Sequence, residues 1–397
     1  MRYWFVALLL GFWLTGFVNT ARINSGHNDA TDGTSEQLVG YSARKFASEG
    51  FWKTYLLPRY PAFGEGLDGK PRSGEFIYNH YLAGADIVLA TWIKLFGESS
   101  IPWARLMPHT LTVAATACLC FAAGTVFGGW LFSCLLMSAL LCARALTTWS
   151  ICLYSHSYAT AVAFLFMGFN LYRLSLKQKA TAPWKVLAPN IAFGFFVTWF
   201  SLDWVAGTLI AFLALLLALG RRWNHQTAII ALGYCSGVAL ALLYQLTLSA
   251  LYFGGLMAVV EDITRWIGLR SGIDTLRADA IYPSVQISRS MNYLIREFNK
   301  QAYGATGFTA FNLLAMAGGF ALLGWASRAL KAAGARAAVG AALLSYVAAS
   351  IWHTFMKHHS AGNMHFILRH YLLVYLVCTA VIFRISLLIV ERGKKTS

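Results

Sequence analysis

The stretch "TAIIALGYCSGVALALLYQLTLS", residues 227–249, contains no charged side chain. About 17–25 consecutive apolar residues are enough to cross a bilayer as an α-helix. A helix also satisfies its backbone hydrogen bonds internally, which the water-free hydrocarbon core requires. The stretch therefore predicts a transmembrane helix.

Similar stretches recur along the whole chain. The 397 residues are 58% hydrophobic and only 12% charged, whereas soluble domains carry about 25% charged residues. This composition predicts an all-α integral membrane protein with about ten transmembrane helices, forming one domain over residues 1–397. The apolar stretches lie at residues 3–19, 103–124, 128–146, 154–174, 186–202, 205–220, 227–249, 309–327, 335–351 and 371–390. Residues 76–97 are less apolar and predict a helix at the membrane interface.

The net charge of +16 is distributed by side of the membrane. With the N-terminus inside, ten spans place these basic groups in the cytoplasm: Arg2, Arg173/Lys177/Lys179/Lys185, Arg221/Arg222, Arg328/Lys331/Arg336 and Arg392/Lys394/Lys395. This is the positive-inside pattern, which predicts that both termini are cytoplasmic. A soluble basic and aromatic module is not present, so the charge does not indicate nucleic-acid binding.

The first apolar run has two interpretations. A basic start and a small-residue site near Thr20-Ala21 would suit a cleaved secretory signal. Two tryptophans, sufficient length and nine following spans favour a retained first helix. All seven cysteines fall in or beside apolar stretches, which predicts buried small side chains and no disulfide or zinc site.

Histidines and carboxylates concentrate on the outer side. Every histidine except His225, and every carboxylate except Glu391, lies there or just inside an outer helix end. The outer loops are longer, at residues 20–102 and 250–308, which accounts for part of this bias. It does not account for His109, His156 and Asp203, because ionisable groups at the hydrocarbon edge are costly and indicate a functional site.

The first outer segment contains a predicted amphipathic helix over residues 35–47, with Leu38, Tyr41 and Phe46 on its apolar side. Asp32 and Glu36 are four residues apart and share a face if both lie on a helical turn. Alternatively, the acidic residues simply cap the start of that helix.

Two segments of this region resemble a known family. They are "HNDATDGTSEQLVGYSARKFASEGFWKTY", residues 27–55, and "FIYNHYLAGADIVLATWIKLFGESSIPWARLMP", residues 76–108. Both are similar to the first outer loop of the glycosyltransferase C superfamily. The resemblance is to its bacterial branch of protein mannosyltransferase-like enzymes and lipid A aminoarabinose or galacturonic acid transferases.

The matching positions follow the family order along the chain. They are Asp32, Ala43-Arg44…Gly50, Asn79-His80-Tyr81, Phe96-Gly97…Arg105-Leu106, Ser155-His156, Asp203-Trp204 and His359…His365. Two positions depart from the family pattern. Ser35-Glu36 replaces an adjacent Asp-Glu pair, and Leu82-Ala83 replaces prolines after the histidine.

The resemblance implies transfer of a sugar from a polyprenyl phosphate donor to a lipid, glycan or protein acceptor. It places this reaction at the periplasmic face of the bacterial inner membrane, in cell-envelope or lipopolysaccharide assembly. A carboxylate acts as general base, and the departure above leaves Asp32 and Glu36 as alternatives. The implied substrate-binding residues are His80, Tyr81, Arg105, His156, Asp203, His359, His365 and Arg369. The resemblance implies no required cofactor.

The segment "WHTFMKHHSAGNMHFILRH", residues 352–370, holds five histidines and no carboxylate. Arginine grips phosphate bidentately and imidazole donates a hydrogen bond without a permanent charge. We therefore expect a phosphate-binding wall formed by His359, His365 and Arg369. A solvated interfacial loop ranks second, and a divalent cation held by His359, His365 and Asp32 ranks third. His353, His358 and His370 are assigned to the solvated loop.

Two other classes of protein compete with an enzyme. A transporter or flippase of a lipid-linked saccharide would carry charges near the midplane of its spans, broken helices and internal repeats. A membrane scaffold would have no use for Asp32, His80 and His365 together. Asp203 also has a purely structural alternative, as a helix cap beside a Trp204 in the aromatic belt. Convergence of Asp32, His80, Asp203 and His365 would favour the enzyme.

Overall fold

The computed structural model describes residues 1–23, 33–61, 74–78, 82–127, 129–176, 182–218, 220, 223–271, 333–355 and 364–396. These residues are mostly helical. The helices are α1 (Arg2–Arg22), α2 (Gly33–Glu49), α3 (Gly84–Phe96), α4 (Ile101–Ala104), α5 (Leu106–Phe127), α6 (Trp130–Cys142), α7 (Arg144–Trp149), α8 (Ser155–Ser175), α9 (Pro183–Phe200), α10 (Asp203–Ala218), α11 (His225–Phe253), α12 (Leu256–Ser271), α13 (Ala333–Phe355) and α14 (Met364–Thr396). Short 3₁₀ turns cover Phe51–Thr54 and Glu98–Ser100.

The predicted helical class is confirmed. Three described helices are long and apolar enough to cross a membrane, namely Arg2–Arg22, Glu98–Val126 and His225–Phe253. Shorter apolar helices cover Trp130–Cys142, Asp203–Ala218, Ala337–Ala349 and Leu372–Leu388. The predicted span at residues 309–327 lies outside the described residues, so the count of about ten spans and the orientation stay predictions.

One predicted span is interrupted. Residues 128–146 were expected to form one helix, but α6 ends at Cys142 and Ala143 has an extended backbone. The short helix α7 follows and ends at Trp149. After this break the chain enters the buried segment Ser150 to Tyr154, whose backbone contacts the candidate site described below.

Glycines allow α9 and α11 to pack with their backbones in contact. A Cβ on Gly194 would lie 2.0 Å from the carbonyl oxygen of Tyr234, and one on Gly237 would lie 2.0 Å from that of Ile191. Gly233 and Gly237 are four residues apart, the small-residue spacing typical of close helix pairs in membranes. The Tyr234 hydroxyl then donates to the backbone of Val205 at 3.0 Å, which ties α10 to this pair.

Helix α1 is built into the bundle through α5. The Nε2 of His109 lies 3.1 Å from the carbonyl oxygen of Phe12 and 3.3 Å from that of Trp13. Since both partners are acceptors, Nε2 carries the proton and donates. A Cβ on Gly16 would lie only 2.1 Å from the same nitrogen, so glycine is what lets α1 approach the ring. The retained first helix stays a prediction.

The segment that follows α1 packs as a small helical layer with a two-stranded hairpin. Strand β1 (Arg59–Pro61) pairs antiparallel with β2 (Glu75–Ile77), with Tyr60 opposite Phe76. Helix α3 begins only at Gly84, so the interfacial helix predicted over residues 76–97 is shorter than expected.

The buried face of α2 differs from the predicted one. Glu36, Val39, Ala43 and Phe46 are buried, while Leu38 is only partly covered. Of the three residues expected on the apolar side, Phe46 is confirmed as fully buried, whereas the face as a whole is rotated toward Glu36. The reason is that Glu36 has a buried cationic partner, which offsets the cost of removing its carboxylate from water.

Candidate functional site

The first component of the site is a buried ion pair. The two terminal nitrogens of Arg105, in the turn before α5, donate to the two carboxylate oxygens of Glu36 at 2.6 and 2.8 Å. Both side chains are 0% exposed. The carboxylate also accepts from the backbone N–H of Leu153 at 3.0 Å, and the guanidinium donates to the carbonyl of Ile151 at 3.2 Å. Such a bidentate pair fixes both orientation and distance.

This geometry changes the roles expected for these two residues. A general base needs an oxygen that can reach the substrate hydroxyl, but both oxygens of Glu36 already accept from Arg105. The terminal nitrogens of Arg105 in turn already donate hydrogen bonds to Glu36 and Ile151. The contacts favour a structural clamp between α2 and the segment before α8, in place of the catalytic role expected for Glu36 and the substrate-binding role expected for Arg105.

The second component is a cluster around Asp203, the first residue of α10. The Nδ1 of His156 lies 3.4 Å from Oδ2 of Asp203 and 2.9 Å from Oγ of Ser201. The Nε2 of His370, from α14, lies 3.4 Å from the same Oδ2. Ser201 donates a short hydrogen bond to Oδ1. One carboxylate therefore joins α8, α10 and α14.

Trp204 belongs to this cluster and not to an aromatic belt. Its side chain is 0% exposed, and its ring meets that of His370 edge-on at 5.2 Å. The belt position considered above is therefore wrong for this residue. The expected substrate-binding residues His156 and Asp203 do lie together, although both are buried.

The six residues 151–156 connect the two components. Ile151 and Leu153 bond to the ion pair, and His156, three residues further on, belongs to the Asp203 cluster. Three residues span at most about 11 Å. The ring of Tyr154 also contacts that of His156 at 4.9 Å. Both components therefore lie at the same end of the helix bundle.

A third ionisable group lies at the start of α3. Asp86 is 1% exposed and accepts from the Tyr60 hydroxyl at 3.4 Å. Burial raises the pKa of Asp86 to about 7, and a hydrogen bond from the Ser42 hydroxyl limits the rise. The carboxyl thus joins α2, β1 and α3, and can exist in either protonation state near neutral pH.

The start of α3 also contacts the Asp203 side of the site. A Cβ on Gly84 would lie 2.7 Å from the ring of Phe200 and 2.8 Å from the carbonyl oxygen of Trp199. Both residues close α9 just before Ser201. The chain that follows the Asn79-His80-Tyr81 motif is therefore packed beside the Asp203 cluster.

Several expected site residues cannot be placed. Asp32, His80, Tyr81 and His359 lie outside the described residues. His365 and Arg369 lie in the first two turns of α14, which begins at Met364, seven residues before the predicted stretch 371–390, but their side chains lie outside the described part. Within the described ranges, no group of three or more histidine, cysteine or acidic side chains could hold a metal ion.

Three residues of the site, His370, Ser201 and Asp86, were not identified from the sequence. His370 was assigned to a solvated loop, yet it is 2% exposed. Two buried N–H donors, Nε of Arg105 and Nε1 of Trp204, have no hydrogen-bond partner among the described residues. One lies in each component of the site.

Comparison with known proteins adds no family to this description. No family model, no curated protein and no solved structure matches the chain.

Proposed function

We propose that this chain is a membrane glycosyltransferase. It would move a sugar from a polyprenyl phosphate donor to a lipid, glycan or protein acceptor at the periplasmic face of the bacterial inner membrane. The helical, apolar fold supports a membrane location in general terms. The reaction and the side of the membrane rest on the family resemblance together with the geometry below.

The observation that carries the proposal is the convergence of separate chain segments. Glu36 follows Asp32 by four residues and is clamped to Leu153. Gly84 follows His80 by four residues and packs on Phe200. In the same way, His370 follows His365 by five residues and contacts Asp203.

Three motifs of the resemblance, those of Asp32, His80 and His365, therefore have close sequence neighbours that belong to this site or pack beside it, which supports the proposal. A scaffold has no need for this arrangement, whereas a catalytic site assembled from several loops does.

Electrostatics at this end support an anionic ligand. Helices α8, α10 and α14 all contribute residues of the Asp203 cluster from their first two turns, where the backbone N–H groups and the helix dipole favour negative charge. The free N–H groups of Arg105 and Trp204 are additional donors, and a buried donor without an acceptor costs about 1–3 kcal/mol. A phosphate leaving group is an acceptor of the required kind.

In this mechanism Asp32 is the general base. It would remove the proton from the acceptor hydroxyl, whose oxygen attacks the anomeric carbon as the bond to the lipid phosphate breaks. The clamp between Glu36 and Arg105 would hold the chain that follows Asp32 against the bundle. His365 and Arg369 would stabilise the departing phosphate.

The test is sugar transfer by the purified protein in lipid nanodiscs. The donors are prenyl-phosphate hexoses and pentoses, and the acceptor is a bacterial membrane extract, with transfer scored by mass. Asp32→Asn should lower the rate roughly 10²–10⁴-fold, the usual contribution of general-base catalysis. The matched control is Asp29→Asn, which removes a carboxylate from the same loop and should leave the rate unchanged.

Three results would contradict parts of the proposal. Full activity of Asp32→Asn, together with loss of activity in a Glu36→Gln protein that remains folded, would transfer the role of base to Glu36. Full activity of both variants would exclude both carboxylates. Movement of an intact lipid-linked saccharide across sealed vesicles, with no transfer of the sugar, would favour the transporter or flippase instead.

A further inference from the structure

His370 is held by two adjacent residues of another helix. Its Nε2 faces the carboxylate of Asp203 at 3.4 Å, and its ring meets the indole of Trp204 edge-on at 5.2 Å. All three side chains are at most 6% exposed. His370 is the seventh residue of α14, so this contact fixes the second turn of a helix that begins at Met364.

The protons of the cluster can be assigned from its acceptors. Ser201 donates to Asp203, so its oxygen is free to accept from Nδ1 of His156. Nε2 of His370 lies 3.4 Å from Oδ2 of Asp203, and since a carboxylate only accepts, the proton in this contact is assigned to Nε2. A buried carboxylate requires such donors, because an ion without them is expensive to remove from water.

The position of His370 in α14 makes this contact relevant to the donor site. His365 and Arg369 lie in the same first two turns of α14. His365 precedes His370 by five residues, and Arg369 precedes it by one. Short helical ends fray unless they are held by tertiary contacts. The contact of His370 with Asp203 is a tertiary contact of this kind, and it belongs to the packing of α14 against α10.

We propose that His370 is a positioning residue, which docks the start of α14 on Asp203 and Trp204 so that His365 and Arg369 are held ready for a phosphate. This rests on the function proposed above, and it gives that site a specific anchor. His370 itself does not touch the substrate in this proposal. Its contribution is to reduce the mobility of the residues that do.

The variants differ in whether they keep a donor nitrogen at the position of Nε2 of His370. His370→Gln places an amide nitrogen near the former Nε2 and keeps a donor for Asp203, whereas His370→Ala removes the donor and the ring. His225→Ala is the matched control, because His225 is an exposed histidine at the start of α11. Expression and the thermal midpoint of each variant are recorded first.

The first measurement does not depend on enzyme activity. Hydrogen exchange of peptides covering residues 364–372 reports opening of the start of α14. His370→Ala should exchange at least about tenfold faster there, equivalent to about 1.4 kcal/mol. His370→Gln should be intermediate and His225→Ala unchanged. Unchanged exchange in His370→Ala would overturn the proposal, whether or not sugar transfer is ever observed.

The second measurement is binding of farnesyl phosphate in detergent, with farnesol and inorganic phosphate as separate ligands. His370→Ala should weaken farnesyl phosphate about tenfold, and His370→Gln should recover part of the loss. A parallel loss of affinity for inorganic phosphate would show that α14 binds the phosphate headgroup. Faster exchange with unchanged affinity for farnesyl phosphate would reject the link to the donor and leave His370 as a stabilising contact. If wild-type protein binds farnesyl phosphate but transfers no sugar, the proposed function fails while the anchor stands.

Discussion

Replacement of Asp86 by asparagine should make the protein more stable at alkaline pH. Asp86 is buried between α2, β1 and α3, where hydroxyl groups of Ser42 and Tyr60 face its carboxyl. Among the described residues no lysine or arginine contributes to the shift of its pKa, so ionisation creates a buried charge that has hydrogen bonds but no counter-ion there. Asp86→Asn keeps the size of the side chain and removes the ionisation.

The magnitude follows from the pKa. Burial raises the pKa of Asp86 from 3.8 to about 7, and each pKa unit corresponds to about 1.36 kcal/mol. The full effect is therefore roughly 4 kcal/mol, an upper value because local opening of the loop relieves it. Below pH 4 both the folded and unfolded states hold the proton, and Asp86 has no effect on stability.

The sign follows from proton linkage. Between pH 4 and pH 7 the unfolded state loses the proton of Asp86 while the folded state keeps it. The free energy of unfolding therefore falls as pH rises through this window, and the loss is complete above pH 7. Asp86→Asn removes this slope. At pH 8 the variant should be more stable by up to roughly 4 kcal/mol, less about 1 kcal/mol for a weakened hydrogen bond.

The assay is thermal unfolding in a neutral detergent at half-unit steps from pH 4.5 to 8.5, followed by tryptophan fluorescence. The quantity of interest is the difference in midpoint between variant and wild type, because other titrating groups cancel in that difference. Glu98→Gln is the control. Its carboxylate pairs with Arg44 at 3.4 Å with 63% of the side chain exposed, and it should leave the shape of the profile unchanged.

Parallel pH profiles for Asp86→Asn and wild type would refute the reasoning. They would mean that the carboxyl ionises without penalty, and hence that water reaches it. A variant less stable than wild type throughout the range would instead show that the hydrogen bonds to the carboxyl outweigh its burial.

Two further predictions concern packing of the same region. Glu36→Gln should destabilise the protein by about 3–5 kcal/mol, because it leaves a buried guanidinium without its counter-ion; the exposed pair of Glu98 should cost under about 1 kcal/mol when broken in the same way. Equal losses in both variants, measured by thermal unfolding, would contradict the buried clamp. Gly16→Ala should cost about 1–3 kcal/mol, because the added Cβ would lie 2.1 Å from Nε2 of His109. Gly11→Ala has nothing within 4 Å of its added Cβ and should be neutral or slightly stabilising, so a similar loss at both glycines would show that α1 does not pack on that ring.

The candidate site was only partly predictable from the sequence. His156 and Asp203 were singled out because each lies at the end of an apolar stretch, and they prove to be 3.4 Å apart. Their position at helix starts is local information. Glu36 was also selected, but its role was not, since its partner Arg105 is 69 residues away in the chain.

His370 shows the limit of such reasoning. Five histidines share residues 352–370, and nothing in their spacing distinguishes the one that enters the core. Only the packing of α14 on α10 selects His370, by bringing it against Asp203 and Trp204.

By itself the sequence determined the helical, apolar character of the chain and the start of α8, because these depend on the hydropathy and charge of neighbouring residues. The tertiary structure decided which polar groups are buried and what each one bonds to. A buried ion needs a partner, but the partner is supplied by whichever helix packs beside it. That neighbour is set by close contacts such as those at Gly194 and Gly237. Such contacts join residues that are far apart in the chain, and local sequence patterns do not predict which of these residues meet.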